Sequence, residues 1–265
     1  MPPSPEPTPP GTHARVIALH SSASGARQWD AWREHLPAAL EFTAPSLMGY
    51  AGDNPWHEDT PVSLAEEACR LEPLLAHGGV HLLGHSYGGA VALELALRCP
   101  QRVLSLTLYE PVRFGVLRMH DTRTAWQAVL ALGQAVREHV RARRLHEAGA
   151  LFVDYWSGAR AWEHCTPRRR EAIAACMPKV DAEFAALFAD ARPLSALCRL
   201  RMPVRLLAGS ASPAPVLRVA HLLAAALPNA GLCQLDGLGH MGPVTAPAQV
   251  AAAVFSRPLP TPAQA

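Results

Sequence analysis

Short apolar runs bounded by Gly, Pro or polar residues alternate along this chain with longer stretches of helical periodicity. That alternation is expected of a parallel sheet covered by helices on both faces, because strands buried on two sides read as continuous hydrophobic runs. The runs predict strands over Arg15–His20, Phe42–Pro45, Val80–Gly84, Val103–Tyr109, Val204–Ala208 and Gly231–Leu235. Between them, Ser63-Leu64-Ala65-Glu66 forms a capping box opening a helix toward His77, with a kink expected at Pro73. Further helices are predicted over Ala90–Arg98, which Pro100 stops, over Ala214–Ala226 and over Val244–Phe255.

The alternation lapses between residues 111 and 200, where helical patterns at Thr124–His146 and Arg168–Phe188 stand without a convincing strand. An all-helical insertion between two sheet strands predicts a cap over the sheet's C-terminal edge. The expected fold class is α/β: a predominantly parallel sheet of about six strands flanked by helices, with a helical cap. Residues 14–110 and 201–256 form the core in this reading and 111–200 the cap. Residues 1–13 read as a disordered Pro-rich arm and 257–265 as a flexible tail.

Composition narrows the function classes. The 265 residues are 49% apolar and 17% charged, with a net charge of +2, too small to imply a nucleic-acid or anionic-membrane partner. The basic runs at Arg141–Arg144 and Arg168–Arg170 read as solvated helix faces. Six cysteines lie far apart with no CxxC pair, which predicts buried, reduced thiols. The first residues have neither a basic start nor an apolar run, so no signal peptide is expected. Nor does any run reach the length needed to span a bilayer. The expectation is a soluble cytoplasmic protein with no cofactor and no metal, its partner a small-molecule acyl substrate and its oligomeric state open.

Candidate chemistry centres on Gly84-His85-Ser86-Tyr87-Gly88-Gly89. A serine hydroxyl is a poor nucleophile unless a base takes its proton and donors receive the oxyanion it creates. Ser86 falls between a predicted strand and a predicted helix, in a turn tight enough to demand residues without side chains two before and two after it. Gly84 and Gly88 meet that demand, and the helix start aims the Tyr87 amide toward developing negative charge. A chance G-x-S-x-G string in a Gly-rich loop is the competing explanation.

With strand before and helix after, the chain resembles the α/β-hydrolase superfamily from about Arg15 to Phe255, most weakly in the cap. The resemblance implies that Ser86 is the nucleophile and that Tyr87 supplies one oxyanion-hole amide. It implies that His240, in Gly237-Leu238-Gly239-His240-Met241-Gly242 after the last predicted strand, is the base. The second oxyanion amide would come from His20-Ser21-Ser22-Ala23-Ser24-Gly25, aligned at Ser22 with Ala23 as the alternative. The family's full fold also opens with an extra strand pair for which there is no room here, so a sheet of six strands is expected.

The acid departs from the family pattern. Its usual Asp position carries Ser212, in Gly209-Ser210-Ala211-Ser212-Pro213, and no Asp or Glu occurs between Arg199 and Leu235. Glu110 ends the neighbouring predicted strand, one spacing of about 4.8 Å inward, and some family members carry their acid there. Glu110 is therefore the candidate, although it could instead cap its strand or pair with Arg113. Asp236 is the rival carboxylate, and a Ser86–His240 dyad without an acid is the third option; Ser212→Ala is expected to do little.

A Ser nucleophile argues against the dehalogenases and epoxide hydrolases of this superfamily, which use Asp, and points to attack on an acyl carbon. Carboxylesterase-like hydrolysis through an acyl-enzyme is the expectation. The alternatives are a catalytically impaired small-molecule binding module, a cofactor-free haloperoxidase or perhydrolase, and an acyltransferase. Trp29, Met48, Tyr50, Phe152, Tyr155 and Trp156 are among the candidates for lining an acyl pocket, few of them expected to face substrate.

Overall fold

The computed structural model describes residues 14–260 except 52–53, 59, 77 and 121–123. The readings made for residues 1–13 and for the end of the tail lie outside the described residues. Six strands, β1 (Ala14–Leu19), β2 (Leu40–Thr43), β3 (Val80–His85), β4 (Val103–Tyr109), β5 (Val204–Gly209) and β6 (Ala230–Leu235), form one sheet in the order β2-β1-β3-β4-β5-β6. Every pairing is parallel. β3 is buried along its whole length, as a central strand covered on both faces must be.

Helices α1 (Leu64–Leu71) and α2 (Tyr87–Arg98) are the first two of the flanking layers. The Ser63 hydroxyl caps α1 by accepting the Glu66 amide at 3.1 Å. Pro73 ends α1 rather than kinking it, since a 3-10 turn over Glu72–Leu75 takes over there. α2 is buried almost throughout, with eleven of its twelve residues inaccessible, and its apolar side chains form the middle of the larger hydrophobic core.

Between β4 and β5 the chain is helical: α3 (Gly115–His120), α4 (Thr124–Arg141), α5 (Leu145–Ser157) and α6 (Pro167–Ala189). The pattern expected to be a single helix from Thr124 to His146 is broken at residues 142–144, where Arg143 takes a positive φ of 58°. α7 (Ala214–Ala226) follows β5, and after β6 the closing segment splits into α8 (Gly242–Thr245) and α9 (Pro247–Val254), with Pro247 opening the second. An extended 3-10 segment over Ala26–His35, absent from the sequence reading, buries Trp29 and Trp32 against β1 and β3 residues in a second, smaller core.

Both chain crossings into and out of the helical insertion are tied to α2 by a buried ionic cluster. The Arg113 guanidinium, 1% exposed, pairs with Glu94 at 3.3 Å and with Asp190 at 2.7 Å, while Arg192 reaches the other oxygen of Glu94 at 2.6 Å. Arg113 is thus engaged away from Glu110. The six cysteines are free but not buried as expected: Cys69, Cys198 and Cys233, the last on the edge strand β6, are exposed and the others partly so. No helix among the described residues is long and apolar enough to cross a membrane.

Candidate active site

Ser86 joins β3 to α2 with φ 55° and ψ −118°, a backbone conformation that side chains ordinarily avoid. The glycines on either side make the turn sterically possible. A Cβ on Gly84 would lie 2.6 Å from the Gly88 carbonyl oxygen and the Gly89 Cα, and one on Gly88 would overlap the Leu19 and His20 carbonyls at the end of β1. The turn is held by the Ser86 amide, which donates to the Tyr109 carbonyl at 3.0 Å, and the Ser86 carbonyl accepts the Gly89 and Ala90 amides as α2 begins.

His240 comes to the serine from the loop after β6. Its Nε2 lies 2.9 Å from Ser86 Oγ and its Nδ1 2.7 Å from Glu110 Oε2. All three side chains are buried, Glu110 completely. Glu110 leaves β4 with φ 45°, which turns its carboxylate across the end of β5. There Oε1 accepts the Gly209 amide and the Ser212 hydroxyl, each at 2.6 Å. The side chain standing where the family's Asp is expected therefore donates to Glu110, a contact that the sequence analysis did not anticipate. Asp236 is exposed, and no hydrogen bond among the described residues joins it to His240.

The histidine loop is pinned from several directions. Tyr109 Oη donates to the Gly239 carbonyl at 2.7 Å, and Trp32 Nε1 donates to the Pro243 carbonyl at 2.8 Å. His85, given no role in the sequence reading, sits 2.8 Å through Nε2 from the His240 carbonyl. Burial, with His240 adding to it, pushes the His85 imidazole well below its ordinary pKa. A neutral ring donating through Nε2 fits both facts. From the helical insertion, Trp156 lies against the His240 ring with centroids 4.2 Å apart and planes tilted by 35°. His221 lies on α7, exposed.

The loop after β1 faces the serine. Its Ala23 amide donates to Tyr50 Oη at 3.1 Å, so that amide is already engaged, while the Ser22 hydroxyl donates to Glu183 Oε2 on α6 at 2.5 Å. Ser22 and Ser86 together line two adjoining pockets that share Phe152 and Trp156. The inner pocket is walled by Val112, Phe114, Val180, Phe184 and Leu187. The outer one is mixed, with Ser21, Ser24, Ser157 and the exposed Arg169 on its border and Val153, Ile173 and Met241 adding apolar surface. Of the other pocket candidates, Trp29 and Met48 are core and Tyr50 is held in hydrogen bonds, so Phe152 and Trp156 are the pair that reach the cavity.

Comparison with known proteins agrees with this architecture. The profile of the alpha/beta hydrolase family matches residues 16–253. A pimeloyl-[acyl-carrier protein] methyl ester esterase of Aromatoleum aromaticum is 29% identical over 233 residues, covering 85% of this chain and 90% of the relative. Among solved structures, a hydrolase from Pseudomonas aeruginosa superposes with a TM-score of 0.73 at 24% identity, over 93% of this chain and 90% of that one. An alpha/beta hydrolase enzyme from a deep-sea metagenome library gives a TM-score of 0.78 at 14% identity, over 98% and 95%.

Proposed function

The chain belongs to the alpha/beta hydrolase family, and on that premise we propose that it hydrolyses carboxylic esters through an acyl-enzyme formed on Ser86. The observation that carries the reading is the buried relay in which Glu110 meets one imidazole nitrogen of His240 at 2.7 Å and Ser86 meets the other at 2.9 Å.

In this mechanism Glu110 holds the proton on Nδ1, which leaves Nε2 free to accept the Ser86 proton as Oγ attacks the ester carbonyl. The carbonyl π electrons move onto oxygen. Amides of Ser22 and Tyr87 receive that oxyanion, the Ala23 alternative being disfavoured because its amide is taken by Tyr50. A donor of this kind is worth about 10²- to 10³-fold in rate. Collapse breaks the bond to the alcohol, which leaves with the proton from His240 Nε2. Water then enters, gives a proton to the same nitrogen, and attacks the acyl-enzyme to release the acid and restore Ser86. The Glu110 carboxylate offsets the imidazolium charge. The helical insertion acts as a cap supplying Phe152, Trp156 and most of the inner apolar wall, a lining suited to an acyl chain, with the alcohol side toward the mixed outer pocket.

A fluorophosphonate probe and a p-nitrophenyl ester series test the reading. The expected outcome is a single label on Ser86, absent from Ser86→Ala, and a burst of p-nitrophenol followed by steady turnover. Folded wild type that takes no label and hydrolyses no ester of the series would overturn it in favour of a binding module.

A further inference from the structure

The only lysine in the 265 residues, Lys179, is buried at 2% exposure on the inner face of α6. Its ammonium donates to Glu67 Oε1 and to Glu183 Oε1, each at 2.9 Å, and lies over the rings of Tyr50 and Tyr87 at 5.4 and 5.2 Å. The two carboxylates are 1% exposed, and each receives further donors. Glu183 takes the Ser22 hydroxyl on Oε2 at 2.5 Å and the Tyr50 hydroxyl on Oε1 at 2.9 Å. Glu67 takes the Tyr87 hydroxyl on Oε1 at 3.3 Å and the Met48 amide on Oε2 at 3.1 Å.

A buried ion cluster is no stability bargain by itself, since desolvating three charges offsets most of their mutual attraction. Burial tends to strip the Lys179 proton, but Glu183 and then Glu67 outweigh it and hold the ammonium above its ordinary range. A charged lysine therefore stands where an apolar side chain could have packed. What it joins is specific. The side chains tied to the two carboxylates belong to Ser22 and Tyr87, the residues whose amides are assigned to the oxyanion, one on the loop after β1 and the other at the start of α2. Tyr50, bonded to Glu183, also fixes the Ala23 amide beside Ser22. Ser21 is anchored separately by Gln28, whereas Ala23 holds a positive φ of 56° without being glycine, a strained conformation that the contact to Tyr50 helps to hold.

We propose that Lys179, Glu183 and Glu67 are positioning residues that brace both walls of the oxyanion hole, so that the seating of cap helix α6 sets the spacing of the Ser22 and Tyr87 amides. The inference rests on the hydrolase reading above. It assigns the cap a part in transition-state stabilisation as well as in covering the pocket. A displacement of about 1 Å in such donors costs up to about 10²-fold in rate, whereas substrate binding that precedes oxyanion formation is little affected.

The test uses Ser22→Ala and Tyr87→Phe in the full chain, each of which removes one hydroxyl and keeps the amide. The readouts are kcat and KM on p-nitrophenyl butyrate, the pH profile of kcat, and the inhibition constant of a trifluoromethyl ketone that mimics the tetrahedral adduct. Each variant is expected to lower kcat about tenfold, with KM within about twofold, and to weaken the ketone by the same factor while the pH profile keeps its midpoint. Glu183→Gln should lower kcat likewise, and Ser22→Ala with Glu183→Gln should be no worse than the poorer single variant, because both cut one connection. Unchanged ketone affinity in both hydroxyl variants, or additive losses in the double variant, would overturn the brace. Wild type that labels at Ser86 while these variants match it sinks this inference alone; wild type that never labels sinks the hydrolase reading and the brace with it.

Discussion

Replacing Glu110 by Gln changes one charge and almost no volume, and the surroundings determine which way the amide must face. Oε1 of Glu110 accepts the Gly209 amide and the Ser212 hydroxyl, both at 2.6 Å. A glutamine must keep its carbonyl oxygen there, since turning its NH2 toward the Gly209 N–H would set donor against donor in a buried site. The NH2 then occupies the place of Oε2, 2.7 Å from His240 Nδ1. A donor at that place requires Nδ1 to accept, which moves the imidazole proton to Nε2 and points it at Ser86. In that tautomer the ring cannot take the serine proton, and the imidazolium loses its counter-charge. A loss of about 10³- to 10⁴-fold in kcat follows, equivalent to about 4–5.5 kcal/mol of transition-state stabilisation, with KM little changed. Steady-state hydrolysis of p-nitrophenyl butyrate and the rate of fluorophosphonate labelling measure it. Ser212→Ala, which removes one donor to the same carboxylate, should cost about three- to thirtyfold. A Glu110→Gln enzyme within threefold of wild type would refute the reasoning, and the rival carboxylate would replace Glu110 if Asp236→Asn were the variant that lost activity.

Three further outcomes are expected. Burial pushes the His20 pKa down to about 4 from 6.5, and its ring is fixed as neutral because Nδ1 donates to the Ser21 carbonyl while Nε2 accepts the Leu47 amide. The unfolded chain therefore binds the proton first as pH falls, so stability is full above about pH 6.5 and is lost toward pH 4; this group alone should remove about 2 kcal/mol by pH 5, read by urea unfolding at pH 7 and 5, and equal stabilities would contradict it. Arg113→Met leaves Asp190 and part of Glu94 without their buried partner and should lower unfolding free energy by about 3 kcal/mol, whereas a urea midpoint matching wild type would show that the cluster at the cap crossings contributes nothing. Leu187→Ala opens the inner pocket wall and should shift the preferred acyl chain of a p-nitrophenyl ester series to greater length, at a stability cost of about 2–5 kcal/mol; an unchanged chain-length profile would place the acyl group elsewhere.

What the sequence made legible and what it did not divide along a physical line. Val103–Tyr109 and Ala214–Ala226 have the predicted boundaries because each signal is local: a two-sided apolar run ending at a glutamate, and a helix opened after Pro213. The serine turn is equally local, since its glycines are needed by atoms within a few residues. Glu110 was reachable through an absence, the acid-free stretch before Leu235, together with the spacing of adjacent strands. The 3-10 segment Ala26–His35 offers no helical period, and only tertiary packing makes Trp29 and Trp32 core. The break at residues 142–144 falls among arginines that favour helix, so nothing in the local chemistry announces it. Pro247 is a local helix-start signal, masked by the apolar run in which it lies.

The hardest feature was the brace. Lys179 and Glu183, four apart on a helix, have the spacing of an ordinary exposed ion pair, and only the fold turns that face inward. Its other contacts span 112 residues to Glu67 and 161 to Ser22. Local propensity carries no information over such separations, whereas burial does: a lysine kept charged in the interior must be met there by compensating groups, here Glu67 and Glu183. Following those contacts leads from cap helix α6 to the hydroxyls of Ser22 and Tyr87, the two residues whose amides are assigned to the oxyanion, a connection that appears only when the buried polar groups are accounted for one by one.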